Sequence, residues 1–231
     1  MKILKTNCIV LKKKEMGEAD LQVTLFSKEY GKIMATAYGI RKSKKRNTVA
    51  LNPLNKVEIT LFQKNNYYTV KDIEIIKNFK NILKNIDKLE ISLYILDSID
   101  KIYYMTNENG DFFDKLVEIL SFIDVLPYVK NGYKYYVVLS FLRRIMIEQG
   151  IYDIEEIISI LIEEKKENKK KYKEVMRILK TNFDISEIQE KFENYTNFLK
   201  KMVFIFENFI NRNLQVELKI KKFIMEEFYG N

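Results

Sequence analysis

The 231-residue sequence predicts an α+β protein in two parts, a small barrel of five short strands followed by an α-helical domain. Three observations predict it. Apolar and polar residues alternate with period two up to about residue 77. From about Phe79 onward apolar residues recur instead at spacings of three and four. The punctuation changes as well: Gly17, Gly31, Gly39 and Asn65-Asn66 cut the first part into strand-length pieces. Asn107-Glu108-Asn109-Gly110, Pro127, Asn131-Gly132 and Gly150 cut the second into helix-length ones. The division is therefore expected between residues 78 and 79, giving domains 1–78 and 79–231.

The strands follow in order. Cys8 and Val10 alternate with Ile9 and Leu11, so the first strand is apolar on both faces. Leu21, Val23 and Leu25 form the core side of the second, and Ile33 to Tyr38 the third. Val57, Ile59 and Leu61 mark the fourth, and Tyr67, Tyr68, Val70 and Ile73 the fifth. Five such strands, with a long basic connection between the third and fourth, fit an OB-fold barrel. The helical part opens with Ile86, Leu89, Leu93 and Leu96 on one stripe. Phe112, Leu116, Ile119, Leu120 and Ile123 form the next, then Ile154, Ile157, Ile158 and Leu161. Phe198, Met202, Ile205, Phe206 and Phe209 form the last. Glu163 to Lys171, charged at eight of nine positions, reads as a solvated helix end or loop.

Composition removes whole classes of chemistry. There is no His, so no His-based nucleophile, general base or metal site. A single Cys makes neither an internal disulfide nor a four-Cys zinc finger, and it reads as a buried, unreactive thiol in an intracellular protein. No apolar run approaches the ~20 residues that a membrane span takes, and charge interrupts the start too early for a signal peptide. Gly17-Glu18-Ala19-Asp20 offers two carboxylates, as a metal-dependent nuclease would need. No third acidic partner forms a recognisable motif there, and a turn entering a strand explains the same residues.

Charge points to a partner. Forty Lys and Arg face 32 Asp and Glu, a net charge of +8. Residues 1–80 hold 17 basic and 7 acidic residues, so the whole excess lies in the strands and their loops. Such asymmetry fits a polyanion, although solubility alone also produces basic chains. Arg41, Lys42, Lys44, Lys45 and Arg46 form one cluster and Lys12, Lys13 and Lys14 a second. Together with Lys64 they are candidate DNA-binding cations. Cations on a loop follow phosphates without reading bases, and about five contacts to a single strand give a log–log salt slope near −3.5. A solvated loop is the other reading. Among Tyr30, Tyr38, Phe62, Tyr67 and Tyr68, exposed rings would stack on bases and buried ones would fill the core. Tyr67 and Tyr68 are adjacent and so point to opposite faces; Tyr67 is the candidate for stacking. Arg143 and Arg144, with Tyr135 on the same apolar segment, are candidates for gripping an acidic peptide, or the arginines simply reach the helix surface.

Several of these residues form a familiar series. Gly17-Glu18-x-Asp20, the strand Leu21–Phe26, Glu29-x-Gly31-Lys32, Ala37-x-Gly39-x-Arg41-Lys42-Ser43 and Leu51-x-Pro53-Leu54 resemble the N-terminal domain of the bacterial RecO family. Phe141-x-x-Arg144-Ile145-Met146-x-x-x-Gly150 is similar to a helix end of that family, and Leu214–Phe228 to its terminal helix. The resemblance implies an OB-fold followed by helices, no enzymatic activity and no cofactor. It implies binding of single- and double-stranded DNA, strand annealing, and help for RecR in loading RecA in the cytoplasm, at the nucleoid. It places Arg41, Lys42, Lys44, Lys45 and Arg46 on the basic strand end and loop. Arg144 falls in the pocket for the acidic C-terminal tail of single-strand DNA-binding protein. The sequence departs from many relatives in having no four-Cys zinc finger after Gly150. The residue-level alternatives are an OB-fold that binds RNA and the metal-dependent nuclease.

Overall fold

The computed structural model describes residues 2–43, 47–104, 110–164, 168–178, 189–190 and 192–224. Contacts between residues divide it into two compact units, Met1–Leu126 and Pro127–Asn231.

In the first unit, β1 (Lys2–Met16), β2 (Asp20–Ser27), β3 (Gly31–Ala37), β4 (Lys56–Lys64) and β5 (Tyr67–Lys77) close a barrel in the order β1-β2-β3-β5-β4. Every pairing is antiparallel except β3 with β5. This is the five-stranded OB-fold that the alternation and the turn residues predict. Cys8, Val10, Val23, Leu25, Ile33, Ala35, Val57, Ile59 and Leu61 fill the interior and are almost wholly buried. Closure requires a stagger between the strands. One cross-strand row shows it: Lys14 pairs with Gln22, Gln22 with Thr36, Thr36 with Thr69, Thr69 with Phe62, and Phe62 with Ile3. The row leaves β1 at Lys14 and returns to it at Ile3, eleven residues away. A bulge between Val10 and Lys12 lets β1 bend around that circuit.

The double-faced apolar character of β1 has a physical reason. Helices α1 (Lys80–Leu83), α2 (Ile86–Ile102) and α3 (Gly110–Val125) belong to the barrel's own unit, with α2 packed on β1 and α3 on β2. The outward residues Ile9 and Phe26 are consequently fully buried. The Phe26 ring meets Tyr103 at 5.2 Å, Phe112 at 6.2 Å and Phe113 at 6.4 Å, in tilted, edge-on and stacked contacts respectively. Asn85 caps α2 by accepting from the Lys88 N–H at 3.0 Å, and the Asp124 carboxylate accepts from two N–H groups of α1. The last barrel strand ends at Lys77, and the compact unit that holds the barrel continues to Leu126. Outer-wall packing draws these helices in, and such packing is invisible to local periodicity.

The second unit comprises α4 (Asn131–Glu148), α5 (Ile154–Glu164), α6 (Asn168–Ile178) and α7 (Thr196–Leu214). The region after Gly150 forms α5 and α6; residues 165–167 and 179–188 lie outside the described residues. Helix α4 packs on α7, and Tyr136 stacks on Phe192 with ring centroids 4.4 Å apart. Gly132 is required in that contact, because a Cβ there would lie 2.0 Å from the Phe192 carbonyl oxygen. Gly150 ends α4 with φ 68°, while the Ile151 N–H returns to the Met146 carbonyl at 2.9 Å, as the sequence leads one to expect. The expected helix over Leu214–Phe228 does not form through its first part. Gln215 adopts φ 54°, and Asn211 and Glu207 tie the backbone of Leu218 and Ile220 back to α7. A short 3₁₀ turn at Ile220–Lys222 follows, and residues 225–231 lie outside the described residues.

Candidate nucleic-acid interface

The turn after β1 and the segment after β3 are clasped together. Gly39, at φ 62°, adopts a left-handed conformation, and its N–H donates to Asp20 Oδ1 at 2.7 Å. That bond starts the 3₁₀ turn Ile40–Lys42 beside the β1–β2 turn. The Arg41 N–H donates to the Ala19 carbonyl at 2.9 Å. Its guanidinium donates to the Gly17 carbonyl at 3.2 Å and pairs with Glu15 at 2.8 Å. The Lys42 ammonium pairs with Glu18 at 2.7 Å. Glu18 and Asp20, the carboxylates weighed for a metal, therefore serve a lysine and a backbone N–H. Among the described residues, no group of three or more His, Cys, Asp or Glu could hold a metal ion.

The candidate cations fall into distinct situations. Lys12 pairs with Asp100 of α2, and Lys13 donates to the Asn52 side chain at 2.6 Å. Lys14 and Lys64 are exposed and have no ion-pair partner among the described residues. Lys44, Lys45 and Arg46 lie outside the described residues. Arg41 and Lys42 are exposed at the clasp but already face carboxylates. Such surface pairs are worth about 0–1 kcal/mol and screen readily, so a phosphate can replace them.

Tyr67 is 79 % exposed at the start of β5, directly across from Lys64. Tyr68 turns inward against the barrel core, as adjacent strand residues must. The pairings of Ala35 with Tyr68 and Thr36 with Thr69 set β5 alongside β3, so Met34 and Tyr67 both face outward, one residue before that pair. Met34 and Tyr38 are also exposed. Gln22, Met34, Thr36 and Thr69 belong to this wall, and a reading limited to charge clusters misses them. Their grouping depends on the parallel β3–β5 pairing, of which only the alternation Ile33-Met34-Ala35-Thr36-Ala37 is a local sign.

In the second unit, Tyr135 is fully buried, with the Lys200 ammonium 5.1 Å from its ring centroid. It is a core residue, since it lies on the α4 face turned to α7, and it presents nothing to a partner. The Arg143 guanidinium lies over the Tyr152 ring at 5.2 Å, and the Tyr152 hydroxyl meets that of Tyr172 at 3.1 Å. Burial, followed by the Tyr152 hydrogen bond, raises the Tyr172 hydroxyl well above the ordinary tyrosine value. Arg144, one position on, is exposed. Elsewhere Ile160, Ile205, Asn208, Phe209 and Arg212 line an apolar groove of about 270 Å³ between α5 and α7.

Strand order, closure and a basic outer wall define the class: an OB-fold barrel carrying its own helices. Residues 1–79 match the family described as Recombination protein O N terminal. The match covers the barrel, where the motif series lies, and the chain is similar to several proteins named DNA repair protein RecO. It is 37% identical over 126 residues to the DNA repair protein RecO of Thermoanaerobacter sp. (strain X514), covering 54% of this chain and 51% of that protein. It is 38% identical over 109 residues to the DNA repair protein RecO of Caldanaerobacter subterraneus subsp. tengcongensis, covering 47% and 44%. For the DNA repair protein RecO of Acetivibrio thermocellus the identity is 34% over 102 residues, covering 44% and 41%. The matched stretch spans about half the length of these relatives. Among the described residues no helix is long and apolar enough to cross a membrane.

Proposed function

We propose that the chain acts in DNA repair and recombination as a sequence-independent DNA-binding and strand-annealing protein, not as an enzyme. The observation that carries this reading is the OB-fold barrel with a net charge of +10 over residues 1–80, with Lys14 exposed on β1 and the exposed Lys64 paired across from the exposed ring of Tyr67. Cations on the wall neutralise phosphates of two strands and lower their mutual repulsion, and base pairing between the strands supplies the specificity. Lys12 and Lys13 take part only by leaving Asp100 and Asn52, whereas Arg41 and Lys42 exchange the Glu15 and Glu18 carboxylates for phosphates. Lys44, Lys45 and Arg46 continue the same cationic loop. The relatives' name and the family of the barrel support the assignment to repair.

The helical unit recruits proteins in this reading. Arg144 receives the acidic C-terminal tail of single-strand DNA-binding protein, Arg143 supports it through Tyr152, and RecR joins the complex to load RecA at the nucleoid. The test is annealing of complementary oligonucleotides coated with single-strand DNA-binding protein, with and without the acidic tail of the coat. The reading requires annealing of bare strands and of strands carrying the intact coat, and loss of annealing on coated strands when the tail is removed. Failure to anneal bare strands overturns it.

A further inference from the structure

The outward face of α3 changes character along its length. Asp111, Asp114, Glu118, Phe122 and Val125 recur at spacings of three and four and are all exposed. They form one stripe about 21 Å long, at 1.5 Å per residue. Its N-terminal part is acidic and its last turn apolar, with Phe122 39 % and Val125 71 % exposed. Helix α1 and the start of α2 meet that last turn. The Asn81 and Ile82 N–H groups donate to Asp124 Oδ1, and the Lys88 ammonium donates to the Asp124 and Leu126 carbonyls. Here Leu83 is 52 % and Ile86 64 % exposed, and the cations Lys80 and Lys84 are exposed beside them. The face therefore runs from carboxylates, across four apolar side chains, to two ammonium groups. Glu118, Lys80 and Lys84 have no ion-pair partner among the described residues, whereas Asp114 is held by Lys28 at 2.8 Å. Asp87, in the first turn of α2, is half-buried.

We infer that this face is the interface of a two-fold dimer, occupied by a second copy of the chain. Apolar side chains scattered singly on a surface mean little, but several gathered on one face mark an association surface. The charge layout selects the occupant. Under a two-fold axis through the apolar centre, each end of the face meets the opposite end on the other copy. Glu118 of each copy then faces Lys84 of the other, and Leu83, Ile86, Phe122 and Val125 close on one another between them. A partner of a single charge sign meets repulsion at one end, and a polyanion meets Asp111, Asp114 and Glu118. A face of this size gives a weak pair, with a dissociation constant of roughly 10–100 µM. Pairing needs no nucleic acid, so the inference goes beyond the proposed function and stands or falls separately from it.

The test is sedimentation velocity of the full chain, free of nucleic acid, from about 1 to about 200 µM. The wild type is expected to pass from monomer to dimer across that range. Val125→Glu puts a carboxylate into the apolar centre from both copies and should weaken pairing at least tenfold. Ile86→Glu repeats that result if Val125→Glu does not fold. Lys84→Glu breaks two symmetry-related pairs at once and should weaken pairing about three- to twentyfold, as should Glu118→Lys. Lys84→Glu and Glu118→Lys combined remake both pairs with their signs exchanged, and should return pairing to within about threefold of wild type. A wild type that stays monomeric at about 200 µM overturns the interface. So does a dimer indifferent to Val125→Glu and Ile86→Glu. A double reversal that pairs no better than either single change overturns the two-fold arrangement.

Discussion

The Arg41 guanidinium stands 2.8 Å from the Glu15 carboxylate, and next to it the Lys42 ammonium pairs with Glu18, so two cations of the basic cluster are held by carboxylates of the same chain. In the proposed function, the β1–β2 turn competes with a phosphate backbone for the same positive charges. Because both pairs are exposed, this competition sets affinity without fixing the fold.

Glu15→Gln combined with Glu18→Gln should therefore tighten single-strand binding severalfold. It should also steepen the salt slope by up to about 1.4, at about 0.7 per freed cation. Fluorescence anisotropy across a salt series measures both. Unchanged affinity together with an unchanged slope means that Arg41 and Lys42 do not meet phosphates.

Replacement of Arg41, Lys42, Lys44, Lys45 and Arg46 together by Ala should weaken single-strand binding at least tenfold at ~100 mM salt and flatten the salt dependence. Electrophoretic mobility shift at two salt concentrations checks this. Unchanged affinity and slope would remove the loop from the interface.

Tyr135 and Arg144 should separate cleanly. Tyr135→Ala removes a fully buried ring from the α4–α7 contact and should lower stability by about 3–5 kcal/mol in chemical denaturation. Arg144→Ala, an exposed change, should leave stability nearly intact while weakening capture of an acidic tail peptide, measured by calorimetry. The reverse pattern would contradict both placements.

Lys88 makes stability depend on pH in the alkaline range. Its ammonium is buried against the end of α3, donating to the Asp124 and Leu126 carbonyls. Desolvation holds its pKa below the ordinary 10.5, and the Asp124 charge opposes that only in part. The unfolded chain then binds this proton more tightly than the folded one. Between the lowered value and 10.5 stability contributed by Lys88 rises with pH. The stability of wild type relative to Lys88→Met should accordingly grow as pH rises through that window in urea titrations; a shrinking difference would reverse the assignment.

Much of the fold was legible because its signals are local. Gly17, Gly31 and Asn65, all with positive φ, delimit the strands that the alternation marks, and Gly150 ends α4 where the sequence places an end. The opposite orientation of Tyr67 and Tyr68 follows from the strand period alone. The rest depends on contacts distant in sequence. The burial of Ile9 and Phe26 under α2 and α3, which moves the unit boundary to Leu126, cannot be read from either segment by itself. Neither can the pairing of Thr36 with Thr69, which sets β5 alongside β3 in the outer wall, nor the Glu15–Arg41 pair, which turns a cluster of apparently open cations into a clasp. For Tyr135, an aromatic residue on an apolar helix suits a partner or a core equally in the sequence, and the packing of α4 on α7 buries it in the core.

The most direct measurement of the central claim is the affinity of the full chain for a labelled oligo(dT) between about 50 and 300 mM salt. If the barrel wall grips a sugar-phosphate strand, the logarithm of the binding constant falls linearly with the logarithm of salt. The slope should lie between about −1.4, for Lys14 and Lys64 alone, and about −3.5, for five engaged cations. Absence of binding at the lowest salt, or an affinity indifferent to salt, contradicts the account.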